Sequence, residues 1–207
     1  MKIKKIFDAS IPLETRMIAY PGNPAFRVTP IKTPTTFISE ITMSSHAGTH
    51  VDAPRHILPD GAGVNAIPLN VCIGPCRVLD LTAVRQQITI ADLKPQRIRK
   101  NERILFRTKN SLRGFAQFYD DYVFLDGDAA EFLVRRGVAL VGIDALSIRQ
   151  RAAVDQRPHT ALLKNDIVIF EGLDLAAIPA GRYFFIGLPL KLARLDGAPS
   201  RVVLLEQ

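Results

Sequence analysis

The sequence predicts a β-rich α/β protein built as one domain over residues 1–207. Three observations carry this reading. Eight short runs have the length and the β-branched or aromatic content of strands, one helix is well marked, and no repeat, low-complexity tract or Gly/Ser linker divides the chain. The 14 prolines are spread along its length, so they punctuate loops rather than mark a boundary.

In chain order, the runs expected as strands are 36–43, which is mixed apolar and polar, then 77–81, 103–107, 122–125, 139–143, 166–170, 181–186 and 201–205. The helix is expected at 127–136. Asp128 followed by Glu131 resembles a capping arrangement, with Asp126 an alternative cap. Ala129, Ala130, Phe132, Leu133 and Val134 supply apolar residues. Arg135 and Arg136 sit at the negative end of the helix dipole, and Gly137 suits the left-handed position after the last turn. Weaker helices are expected at 90–93 and around 159–163.

Hydrophobic residues make up 47% and charged residues 23%, an ordinary globular composition that can bury a core. No run approaches the ~20 apolar residues of a membrane helix. The basic start Met1-Lys2-Ile3-Lys4-Lys5 is followed at once by Asp8, Ser10 and Pro12, not by an apolar segment, so a cytoplasmic protein is expected. Two cysteines, Cys72 and Cys76, are too few for a secreted disulfide scaffold, and their spacing matches no zinc or redox motif; buried, inert thiols are expected. Lys and Arg exceed Asp and Glu by 27 − 20 = 7. The densest basic cluster is Arg97, Arg99, Lys100, Arg103, Arg107 and Lys109. It lacks the interleaved aromatics of a single-strand stacking platform, so a solvated face is expected, with an anionic substrate as a second reading.

Chemistry concentrates elsewhere. Of the four histidines, His46, His50 and His56 fall in one stretch, His46-Ala47-Gly48-Thr49-His50-Val51-Asp52-Ala53-Pro54-Arg55-His56, and His159 lies far downstream. In an extended backbone, residues two apart point to one side, so His50 and Asp52 can face one ion. A bend at Gly48 can bring His46 round to it. Imidazole with carboxylate suits zinc, manganese or iron(II), and two histidines with one carboxylate leave positions open for water, as in a catalytic site. Thr49 is expected to hydrogen-bond a ligand histidine from behind. Loop histidines with no metal, and a purely structural metal site, are the competing readings. The clustering disfavours the first and the lack of thiolates the second.

The same stretch resembles the HxGTHxDxPxH signature of the putative cyclase family, which includes kynurenine formamidases and isatin hydrolases. The resemblance runs through nearly the whole chain: Tyr20-Pro21-Gly22-Asn23-Pro24, Ile67-Pro68-Leu69, Gly74-Pro75-Cys76-Arg77-Val78, Val141-Gly142-Ile143-Asp144-Ala145-Leu146-Ser147, His159-Thr160-Ala161-Leu162-Leu163 with Glu171-Gly172-Leu173, Leu188-Pro189-Leu190-Lys191 and Asp196-Gly197-Ala198-Pro199-Ser200-Arg201.

The resemblance implies a cyclase-like swivelling β/β/α fold and dimers or tetramers. It implies two zinc ions, with manganese an alternative: His46, His50 and Asp52 on one, His159 on the other, and Asp52 and Glu171 reaching both. It makes His56 the proton-transfer residue and Tyr20 a wall of the substrate site. The activity implied is hydrolysis of an aromatic amide, an aryl formamide first and a cyclic amide second, with neither nucleic acid nor membrane as partner. Tyr20 stands where formamidases typically carry tryptophan, and 148–158, rich in Arg and Gln, departs from their sequence. A basic nucleic-acid-binding module with a structural metal is the reading from a different class.

Overall fold

A computed structural model describes residues 3–207; Met1 and Lys2 of the basic start lie outside the described residues. The strands are β1 (Lys5–Asp8), β2 (Arg27–Lys32), β3 (Phe37–Thr42), β4 (His50–Asp52), β5 (Ile73–Asp80), β6 (Gln87–Ile88), β7 (Arg103–Arg107), β8 (Phe124–Leu125), β9 (Leu140–Ile143), β10 (Val168–Glu171), β11 (Gly181–Pro189) and β12 (Gly197–Glu206). The helices are α1 (Ile90–Leu93), α2 (Lys109–Arg113), α3 (Gly127–Arg136) and α4 (Arg157–Lys164). None of them is long and apolar enough to cross a membrane.

Seven strands close into a barrel in the order β12-β11-β5-β7-β9-β10-β4, with β4 returning to β12 and β1 extending the far end of β12. The run β5-β7-β9-β10 is parallel and the other pairs are antiparallel. Alternation along the parallel strands divides the core. Ile104, Phe106, Val141, Ile143 and Ile169 point outward onto Ala129, Ala130 and Leu133 of α3 and Leu162 and Leu163 of α4. Leu105, Leu140, Val168 and Phe170 point inward and fill the barrel with Val51, Val78, Phe185, Val202 and Leu204. Burial on both faces is why these strands read as continuous apolar runs.

The expected strands are all present, though 122–125 shrinks to two residues and β12 runs well beyond 201–205. The helix α3 occupies the expected residues, with Gly137 at φ 65°. Its capping differs. Asp126 holds the N-cap position without a capping hydrogen bond, and Asp128 instead pairs with Arg157 at 2.6 Å. The basic cluster is not one solvated face. Arg97, Arg99 and Lys100 are exposed, but Arg103 donates to the Val71 and Asn70 carbonyls, Arg107 reaches the Leu175 carbonyl and Asp80, and Lys109 lies near Asp121. Cys72 and Cys76 are free and buried, and burial raises their thiols to about 11 and about 12.

The hairpin β2–β3 pairs with no other strand among the described residues, and every residue of its strands is exposed. Pro30 lies within β2 and masks it in the sequence, since proline is admitted only where no ladder donor is needed.

Candidate metal centre

The short strand β4 carries His50 and Asp52 on one side and sends Val51 into the barrel core. β4 lies between β10 and β12, in register with Glu171 opposite His50 and Gly197 opposite Asp52. Two backbone positions make the base of the site. Gly48 has φ 58° and turns the chain so that His46 faces β4. Gly172 has φ 65°, and a Cβ there would collide with the Gly48 carbonyl. Gly172 donates its N–H to the Ala145 carbonyl at 2.6 Å, tying β10 to the loop after β9.

The geometry gathers all four histidines. His46 Nδ1 lies 2.9 Å from Asp52 Oδ1. His50 Nε2 lies 3.3 Å from Glu171 Oε2 and 3.7 Å from Asp52 Oδ1. His159, on α4, places Nε2 at 3.1 Å from Glu171 Oε1 and 3.4 Å from Asp52 Oδ2. The His56 ring centre is 4.4 Å from that of His46 and 5.3 Å from that of His159. Two sets of ligand atoms are close enough to share an ion: His50, Asp52 and Glu171, and His46, Asp52 and His56. Asp52 belongs to both.

The chemistry of the donor set fits metal. Asp52 Oδ1 and Oδ2 and His50 Nε2 are buried and have no hydrogen-bond partner. Orphaned acceptors on a buried carboxylate are costly, and a cation satisfies them. The nitrogens of His46, His50 and His159 lie near the Asp52 carboxylate without hydrogen-bonding it, while His159 Nε2 and Glu171 Oε1 are hydrogen-bonded at 3.1 Å, so the groups converge around an Asp52 carboxylate that none of them satisfies.

Charge follows the same logic. Burial opposes ionisation of Asp52, but the adjacent His159 and His46 outweigh it and hold its carboxyl well below the usual range. Glu171 is lowered too: burial and Asp52 push it up, and His159 and His50 pull it further down. Burial disfavours the His46 and His159 imidazoliums, yet the facing carboxylates raise each to about 9 in the metal-free chain. His56 is different. Burial depresses it, Asp52 partly restores it, and the charges of His46 and His159 press it down again.

Groups behind the cluster orient it. His50 Nδ1 faces the Gly48 carbonyl at 2.9 Å, which leaves Nε2 for the carboxylates. Glu171 Oε1 accepts the Ile148 N–H at 2.6 Å. Asp196, to which the sequence reading gave no role, lies 2.7 Å from His46 Nε2 and accepts from Ser45 Oγ at 3.0 Å. A histidine with a carboxylate on its second nitrogen is a common companion of metal ligation. Thr49 departs from its expected part. Its hydroxyl donates to the Gly172 carbonyl at 2.5 Å and accepts the Ile11 N–H, so it braces the base and is not hydrogen-bonded to a histidine among the described residues.

The four histidines and Glu171 line a cavity of about 260 Å³ together with Tyr20, Asn23, Ile57, Leu146, Ser147, Arg149 and Gln156. Tyr20 meets Phe118 edge-on, 5.6 Å between ring centres. His56 stands at the mouth with 31% of its side chain exposed. A larger groove of about 470 Å³ is lined by Leu13, Leu188, Leu190 and the Asp8–Arg201 pair; no histidine lines it, and it is not the site of the cluster.

Known proteins share this architecture. The family model for putative cyclases matches residues 7–150. Kynurenine formamidase of Bacillus cytotoxicus is 34% identical over 209 residues, spanning 99% of both chains. A solved structure described as a potential metal-dependent hydrolase with cyclase activity superposes with a TM-score of 0.90, at 39% identity over 98% of both chains. Isatin hydrolase A of Ralstonia solanacearum superposes with a TM-score of 0.84 over 98% of this chain and 92% of its own; at 23% identity that is a likeness of fold.

Proposed function

The chain belongs to the putative cyclase family and is a metal-dependent amide hydrolase; from that premise we propose that its substrate is an aryl formamide, with N-formyl-kynurenine as the leading case. The observation that carries this reading is the Asp52 carboxylate, buried, without a hydrogen-bond partner, and faced by His46, His50 and His159. Its support on the substrate side is the similarity to kynurenine formamidases over the full length.

In this reading His46, His50 and Asp52 would hold one divalent ion, and His159, with Asp52 and Glu171, would hold a second; the tightest groupings of ligand atoms, His50 with Asp52 and Glu171 and His46 with Asp52 and His56, divide the same donors differently. Two zinc ions suit this mixed imidazole and carboxylate set, and manganese is the alternative. Bound there, the metal supplies Lewis acidity and brings the ionisation of water to near neutral pH.

The chain's own residues do the rest. His56, kept neutral near pH 7 by its surroundings, takes the proton as water adds to the formyl carbon. It returns the proton to the leaving nitrogen as the C–N bond breaks, giving the aryl amine and formate. Its place at the cavity mouth, beside His46 and His159, supports this role. Tyr20, which lines the cavity, would pack its ring against the aryl group.

The exposed hairpin β2–β3, with Val28, Ile31, Phe37, Ile38 and Ile41 uncovered, supports assembly as a homodimer or homotetramer, since an isolated hairpin is marginally stable in water. A cytoplasmic location is part of the same proposal.

The test is a hydrolysis panel of aryl formamides, isatin-like rings and lactones, run on zinc- and manganese-loaded protein with metal content measured. Turnover of N-formyl-kynurenine above the others is expected. Preference for a cyclic amide would replace the substrate and keep the reaction class.

A further inference from the structure

The loop between β9 and α4 carries a cationic group that the hydrolytic reading does not use. Arg149 lines the same cavity as the histidines and is, histidines apart, the only cationic residue among its lining groups. Its neighbours along the chain are committed elsewhere: Arg151 to Asp120 at 2.9 Å, and Arg157 to Asp128 at 2.6 Å and to Asp155. Nearby, Arg113 pairs with Asp121 at 2.6 Å. Arg149 forms no ion pair among the described residues. Its one recorded side-chain bond runs from Nη1 to the Ala153 carbonyl at 2.8 Å, which leaves most of its five N–H donors uncommitted.

The backbone under Arg149 is held firmly. The preceding residue, Ile148, is fully buried and gives its N–H to Glu171 Oε1 at 2.6 Å, while its carbonyl accepts the Leu125 N–H at 2.8 Å. The Arg149 N–H bonds Ser147 Oγ at 3.3 Å, and its carbonyl accepts the Tyr122 hydroxyl. A guanidinium thus follows directly on the residue that orients a candidate metal ligand. A planar fork of donors without a carboxylate, in a cavity of this kind, matches a ligand carboxylate in bidentate fashion.

We propose that Arg149 forms a carboxylate-binding subsite, so that the preferred substrate is an amide carrying a carboxylate on the part of the molecule that does not react. This rests on the amide-hydrolase reading of the same cavity and assigns a residue to the carboxylate that N-formyl-kynurenine, the leading substrate, already carries. Gln156, which donates to the same Ala153 carbonyl at 3.2 Å, steadies the turn that presents Arg149. Arg149 is a binding residue here and moves no proton.

The experiment is a calorimetric titration of the zinc-loaded protein, in which ligation requires neutral imidazoles, so that any attraction of the ion for the carboxylate is common to wild type and variants. The paired ligands are 3-(2-aminobenzoyl)propionate and its primary amide. Wild-type protein is expected to bind the acid about 10-fold or more tighter than the amide. Arg149→Gln, which keeps a donor for the Ala153 carbonyl, is expected to lose about 10-fold of that preference, and Arg149→Lys to regain part of it. Equal binding by wild-type protein, or a preference undiminished in Arg149→Gln, overturns the proposal. The acid preference combined with no hydrolysis of any aryl formamide by the metal-loaded enzyme would remove the proposed reaction and leave the subsite standing.

Discussion

The carboxylate of Asp196 lies 2.7 Å from Nε2 of His46, on the ring nitrogen opposite the one that faces Asp52. The ring is therefore gripped from both sides, and its approach to Asp52 is set by a residue 150 positions away. Replacing Asp196 with Asn should weaken metal affinity by about 10–100-fold while the fold is retained. Competition with a chromogenic chelator reads the affinity, and an unchanged value would make Asp196 a bystander.

Asp52 faces both ligand groups, so Asp52→Asn should strip metal from both. Metal content after gel filtration should fall to background, and formamide hydrolysis should fall with it. Retention of one ion per chain would show that Asp52 serves a single site.

His56→Ala separates binding from proton transfer. Metal content should hold while kcat drops by about 10²–10⁴-fold, the usual contribution of a general acid–base group; loss of an ion instead would make His56 a ligand, as its place beside His46 and Asp52 allows. Unchanged turnover removes His56 from the mechanism.

Proton linkage gives two opposite slopes. His46 and His159 sit at about 9 in the metal-free chain against 6.5 for free imidazole, so both are protonated at pH 7. A raised folded pKa means that their stabilising contribution is complete below 6.5 and is lost as pH rises toward about 9. Metal-free protein should therefore lose thermal stability across that window. Metal binding needs neutral imidazole, so affinity should rise over the same window, with about two protons released per chain at pH 7. Calorimetry in buffers of different ionisation enthalpy measures the release, and binding without proton uptake by the buffer would contradict the assignment.

Gly172→Ala should destabilise by about 2 kcal/mol or more, from its left-handed backbone and from contact with the Gly48 carbonyl. For a chain of this size that is a fall in Tm of about 4–8 °C. An unchanged Tm would mean that the base of the site yields freely.

Much of the site was legible before folding, because its chemistry is local in sequence. His46, His50 and Asp52 lie within a few residues, alternation places His50 and Asp52 on one side, and Gly48 supplies the turn. Thr49 shows the limit of that reading. Adjacency to His50 made it a natural partner for a histidine, yet a side chain next to a strand residue points to the opposite face, and it braces Gly172 instead.

By itself, the sequence determined the kind of elements and the kind of chemistry. β7, β9 and β10 carry unbroken apolar segments because both their faces are buried, and α3 is marked by its composition and by Gly137. Only the tertiary structure decided which distant residues meet. Barrel closure sets β12 against β4 and so brings Asp196 to His46, and the β4–β10 register sets Glu171 opposite His50. No local pattern encodes either meeting, because strand order and register are fixed by how the whole barrel packs. The uncommitted guanidinium of Arg149 belongs to the same class: a loop arginine in sequence, and a cavity-lining cation only once β9 and α4 are in place.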